Sequence, residues 1–332
     1  MVPQDSLLVI LVGLIDLIPT PPEPTYRTRG RTKTYPDRLF LKALVIMIIQ
    51  QVHTPCGLVA ILEQPTAEMQ LLRKELSLPD GRFACRRTWK RRLDAIPDAL
   101  PAQIACMGCC LLHLIGLWTK AACAAAIDST DLRARGGVWH KKDREAGVVP
   151  HTSIDTQAHW TKSGWHGWVY GWKLHVVVTA ACEVWLPLAA DVTSANVADN
   201  EQAPKLIEAL PTGLRFLLGD QHYHDETLIT LCEQRNCCLV PSFTGKNNPY
   251  PHHDDGVGVR KVLHKIRSIA IENFNEHFKV IFDVHGAVPT KGLVATRRFV
   301  LGAIFVYQLA ILYCCLQDLD LRVGLKALIK AA

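Results

Sequence analysis

The sequence has a single C-x-x-C, formed by Cys106 and Cys109, and no second such pair or H-x3-H follows, so its twelve cysteines do not spell a zinc site. Cys106, Cys109, Cys237, Cys238, Cys314 and Cys315 lie in apolar segments, which predicts buried reduced thiols and a cytosolic compartment. No internal repeat is apparent, which sets aside a stacked-repeat architecture. The apolar stretch "SLLVILVGLIDLIP" lacks a basic leading region and carries Asp16, so it makes a poor secretory signal. The longest apolar run, Phe299 to Leu316, is shorter than the usual membrane span and holds Gln308 near its centre. It reads as a core helix, with a membrane span as the competing reading. Disorder is excluded as the default, because 49% of the residues are hydrophobic.

At 332 residues the chain suggests about two domains. Its net charge of +6 is unevenly spread: residues 1–120 hold 15 Lys and Arg against 10 Asp and Glu, and the remainder is close to neutral. Within "GRFACRRTWKRRLD", Arg82, Arg86, Arg87, Lys90, Arg91 and Arg92 follow Asp80 with no acid before Asp94. Such a cluster is an electrostatic footprint for phosphate, and a solvated helix face is the plainer reading.

The segment from Pro19 to Asp37 is rich in proline, threonine and arginine and reads as an exposed basic arm. From Arg38 to Trp118 helical patterns follow one another across short Pro and Gly breaks. The chain therefore divides into an N-terminal segment and arm (1–37), an all-α region suited to DNA (38–120), and an α/β unit ending in the long apolar helix (121–332).

In that last unit "AACAAAIDSTDL" reads as a short strand ending on Asp128. In "VYGWKLHVVVTA", Tyr170, Trp172, Leu174, Val176 and Val178 alternate with Lys173 and His175, and a turn at 181–183 leads to "VWLPLAADVT", which predicts an antiparallel hairpin. A helix over "NVADNEQAPKLIEAL", a strand "RFLLGD", a helix "DETLITLCEQRN" and a strand "CLVPS" complete a mixed sheet with helices on it. Thr244 to Arg260 reads as a long polar loop. Beyond it Ile266, Ile269, Ala270, Phe274 and Phe278 predict a buried helical stripe, with Lys265, Ser268, Glu272, Glu276 and Lys279 on another face.

The apolar run before Asp220 stops on that carboxylate, as strands of α/β sheets do when the acid projects into the ligand crevice. Asp128, Asp220 and Glu272, from three elements, would supply the hard oxygen ligands that a two-metal phosphoryl-transfer site needs. His222 and His224 suggest a metal pair only weakly, since zinc would call for more imidazole or thiolate nearby.

Five stretches, "IDST" (127–130), "YGWKLH" (170–175), "LPLAADVTSANVADN" (186–200), "GDQHY" (219–223) and "IENFNEHFK" (271–279), occur in an order that resembles the DDE-type transposases of bacterial insertion sequences. The resemblance implies an RNase H-like catalytic domain with a mixed five-stranded sheet flanked by helices, preceded by an all-α DNA-binding region. It implies Asp128, Asp220 and Glu272 as catalytic and metal-binding acids for two Mg²⁺ (or Mn²⁺) ions, and Tyr223 as the aromatic that follows the second acid. Lys279 stands at the expected distance after Glu272, whereas Lys265 and Ser268 replace the expected tyrosine and arginine, with Arg267 one place off and Glu276 as the fallback acid. The implied partners are double-stranded DNA, both element ends and target, and further copies of the chain on that DNA, at the nucleoid in the cytoplasm and with no membrane. Arg86, Arg87, Lys90, Arg91, Lys173, His175, Tyr223 and Lys279 are the expected DNA contacts. A transposase-derived DNA-binding protein that has lost catalysis and a nuclease without strand transfer are the alternatives.

Overall fold

A computed structural model describes residues 6–21, 34–116, 124–164, 167–180, 182, 184–242, 254–321 and 324–332. The basic run Arg27 to Lys33 and the loop from Thr244 to His253 lie outside the described residues.

The N-terminal part is helical as expected. Helix α1 (Leu7–Leu14) is followed by α2 (Asp37–Ile49), α3 (Pro55–Leu62), α4 (Ala67–Glu75), α5 (Arg86–Ala95) and α6 (Leu100–Leu114). Thr54 and Thr66 cap α3 and α4 through their hydroxyls, satisfying backbone donors that a helix start leaves open. In α5 only Trp89 and Leu93 are buried, Trp89 wedged against Phe40 with ring centroids 5.0 Å apart. Arg92 lies half-buried over the Phe40 ring and pairs with Asp37, whereas Arg86, Arg87, Lys90 and Arg91 face outward.

The sheet is built from β1 (Ala124–Arg133), β2 (His159–Ser163), β3 (Gly167–Ala180), β4 (Pro187–Ser194), β5 (Phe216–Gly219) and β6 (Cys238–Pro241). Strand β3 lies antiparallel between β1 and an edge that β2 and β4 share end to end; β5 and β6 then continue from β1 in parallel. Without β2, the order β4, β3, β1, β5, β6 is that of an RNase H-like sheet, and helices flank it. The expected five strands become six because β2 pairs with the first residues of β3. Asp128 is not the last residue of its strand, since pairing with β3 holds β1 extended to Arg133. Helices α8 (Asp199–Ala209) and α9 (Glu226–Gln234) connect β4 to β5 and β5 to β6, and the short helix α7 (Lys141–Glu145) lies between β1 and β2.

Helix α10 (Asp254–Phe282) begins inside the stretch read as a loop, so Asp254 to Arg260 are helical despite two glycines. Its buried stripe is Arg267, Ala270, Ile271, Phe274, Phe278 and Ile281, whereas Ile269 is 49% exposed, because α10 is rotated by about one residue from the apolar pattern.

Helix α11 (Leu293–Leu316) is long and apolar enough to cross a membrane, but nearly all of it is enclosed by protein. It packs on α6, β4, α2 and α1, joining the helical region and the sheet in one core. Gln308 lies inside that junction and donates to the Ile104 and Pro187 carbonyls, both at 2.9 Å. Every cysteine among the described residues is a free thiol; of the six expected to be buried, Cys237 and Cys314 are, Cys106, Cys109 and Cys315 are half-buried, and Cys238 is exposed at the start of its strand.

Candidate active site

In the β1–β5 pairing Ala126 lies opposite Leu218. Carrying that register two residues on puts Asp128 level with Asp220, just past the last paired residues, with both side chains on one face. The two carboxylates stand where β5 ends beside β1, which runs on past Asp128 to Arg133 in its pairing with β3.

Asp128 keeps 23% of its side chain open, so the carboxylate is crowded by protein yet reachable from solvent. Burial, reinforced by the negative charges of Asp220 and Asp199, pushes its pKa up to about 6 against the pull of Arg267. Arg267, buried on α10, donates to Asp128 Oδ2 at 3.0 Å, while Asp128 Oδ1 accepts from the Ser129 amide at 2.8 Å. The sequence reading placed this arginine one residue off the arginine that the family resemblance leads one to expect and gave it no contact with Asp128. Its signal was a charged residue inside an apolar helical stripe, where an unpaired guanidinium would be costly.

Asp220 caps a short 3-10 turn, Gln221–Tyr223, through the His222 amide at 2.8 Å, and its other oxygen meets His222 Nδ1 at 3.0 Å. The turn folds Tyr223 back under the end of β5, so tightly that a Cβ on Gly219 would lie 2.9 Å from that of Tyr223. The Tyr223 ring is 1% exposed, and its hydroxyl has no hydrogen-bond partner among the described residues. Burial and the charges of Asp128, Asp199 and Asp220 hold its pKa well above 10. Arg267 Nε and His264 Nδ1, in the small crevice beside β5 and β6, are likewise buried and unpartnered.

Glu272 is exposed on α10 and makes no ion pair among the described residues. Glu276, the fallback, is exposed and sits 3.5 Å from His285. Lys279 is half-buried, and burial lowers its pKa against the attraction of Asp131 and Glu276. Lys173 is bound to Asp199 at 3.0 Å and to the Val197 carbonyl. His175 is 1% exposed, bonded to the Thr193 hydroxyl at 2.8 Å, with its pKa pushed down to about 4 by burial. These two side chains tie β3 to the start of α8. Arg86, Arg87, Lys90 and Arg91 all stand on the exposed face of α5, where Lys90 pairs with Asp94 at 2.7 Å.

Two level carboxylates that repel each other, beside an unpartnered phenol, suit a hard divalent cation with a water shell, and Asp128 and Asp220 would hold it. Among the described residues no three His, Cys, Asp or Glu side chains surround one point.

The family model described as "Transposase DDE domain" matches residues 119–309, which contain β1 to β6, α10 and most of α11. The chain belongs to that transposase family, whose members generally use divalent metals to act on DNA. No curated protein and no solved structure matches the chain.

Proposed function

We propose that the chain is an active transposase that cleaves DNA at the ends of an insertion sequence and joins the freed 3′ hydroxyl to target DNA. The observation that carries this reading is the register-matched pair Asp128, within β1 just past its pairing with β5, and Asp220, directly after β5, each partly open to solvent. Mg²⁺ or Mn²⁺, as two ions, would neutralise the scissile phosphate and lower the pKa of the attacking water or hydroxyl. Asp128 and Asp220 would hold those ions, with Glu272 as the third acid. Glu272 lies about 7.5 Å along the helix axis and about 140° round it from Arg267, so α10 would have to turn as well as shift for Glu272 to join the two aspartates. The exposed cations of α5, with the Arg27 to Lys33 arm and Lys279, bind the DNA backbone, and the protein works as an oligomer on DNA at the nucleoid. Catalysis then rests on positioning and charge neutralisation.

The deciding experiment is metal-dependent cleavage of DNA carrying the element ends, with Asp220→Ala as control. The parent protein should nick the ends and form joined product, and Asp220→Ala should bind the same DNA without cutting it. The position of Glu272 favours a second reading, a DNA-binding protein without catalysis. A parent that binds DNA but never cleaves it would establish that reading, and cleavage surviving Asp220→Ala would remove the assigned acids.

A further inference from the structure

Strand β3 extends well past the crevice. Asp128 lies opposite Val176, and Trp168 is eight residues nearer the start of β3, about 26 Å along the strand. Because β3 runs antiparallel to β1, this extension projects from the same end of the sheet as Asp128 and Asp220. The β2–β3 hairpin is therefore an arm on the side where DNA would enter.

The arm carries an aromatic surface with a firm base. Trp160 stacks edge-on to Trp168 (6.3 Å between centroids) and meets Tyr170 at 5.4 Å. Trp160 Nε1 donates to the Trp139 carbonyl at 3.1 Å, and the Tyr170 hydroxyl to the Asp155 carbonyl at 2.6 Å. Trp168 itself is 64% exposed, although its neighbours in the cluster are buried or half-buried. Lys162, directly opposite Trp168 in the register, shares its face and is exposed. Lys142 and Arg144 of the adjoining α7 are exposed too, and Arg144 is close enough to act, after burial, on the pKa of His159 at the start of β2.

We infer that Trp168 is a stacking platform for an unpaired or terminal base of DNA, with Lys162 holding the adjoining phosphate. An indole can cover a base face only where that face is not already stacked inside a duplex, and such stacking tolerates any base. Lys162 and α7, whose three cations (Lys141, Lys142, Arg144) exceed its two acids (Asp143 and Glu145, the latter 3.7 Å from Lys141), favour a polyanionic strand over an apolar partner surface. At 3.4 Å per base pair the platform lies roughly eight base pairs from the acids, far enough to engage a strand leaving the reaction centre. This inference rests on the functional reading above and adds a second contact site to it.

The test uses the full-length Asp220→Ala protein, which binds without cutting. Its substrates are a duplex with a single-stranded overhang containing 2-aminopurine and the same duplex made blunt. Adding Trp168→Ala should weaken binding of the overhang substrate about tenfold, leave the blunt duplex unchanged and abolish the change in 2-aminopurine fluorescence. Trp168→Phe should restore most of the difference. Equal binding of the overhang by both proteins, or equal losses on both substrates, would overturn the inference while leaving the functional reading intact. So would a change in sedimentation of Trp168→Ala with overhang binding preserved, which would assign the indole to contact between copies of the chain. A parent that bound neither substrate would overturn the functional reading itself.

Discussion

Asp128 sits between opposing influences. Arg267 favours its ionised form, while burial and Asp220 disfavour it, and the balance places its pKa near 6. An acid whose folded pKa is raised above the ordinary 3.8 contributes stability below that value and loses it as pH rises through 6. In chelator, Asp128→Asn leaves Arg267 without a carboxylate and so starts less stable, but its stability relative to the parent should rise by about 1–3 kcal/mol from pH 4 to pH 8, read from paired thermal melts. Tyr223→Phe removes a buried hydroxyl that bonds to nothing, so it should be stable to within about 1 kcal/mol of the parent or better. If the hydroxyl serves the phosphate, cleavage should fall at least tenfold while the melting point holds. Both aspartates were legible because apolar strands led into them. The pairing of Arg267 with Asp128 was not, since the two lie 139 residues apart, although a charge inside an apolar helical stripe marks Arg267 as needing a partner.

At the scale of elements, the glycine of "YGWKLH" has a steric explanation. A Cβ on Gly171 would lie 2.0 Å from the Leu132 carbonyl oxygen, in the strand that carries Asp128. Gly171→Ala should cost about 3 kcal/mol or more, whereas Gly164→Ala, with nothing near its Cβ, should melt like the parent. The hairpin β3–β4, helices α2 to α6, α8 and α9, and strands β5 and β6 were readable from periodicity and turn residues. Strand β2 was not, because "HWTKS" has no apolar alternation and becomes a strand only by pairing with β3. The first turns of α10 were hidden by Gly256 and Gly258, whose low helix propensity is overridden in the folded chain. The burial of His175 depends on α8 covering the second face of the sheet, which alternation within β3 cannot report.

Over the whole molecule, the exposed cations of α5 and the acids of the sheet occupy different parts of one joined core. Replacing Arg86, Arg87, Lys90 and Arg91 with alanine should make the logarithmic dependence of DNA affinity on salt shallower by about 3. The stability of the sheet should be unaffected, because these side chains face water; anisotropy titrations at several salt concentrations and a thermal melt would check both. Helix α11 comes late in the chain and yet fills the junction, with Gln308 tied to a helix on one side and to a strand on the other. During synthesis the preceding residues must therefore wait, apolar surfaces open, until this plug leaves the ribosome. A premature stop before Leu293 would leave the helical region and the sheet each with an open apolar face, since α11 closes the interior of both.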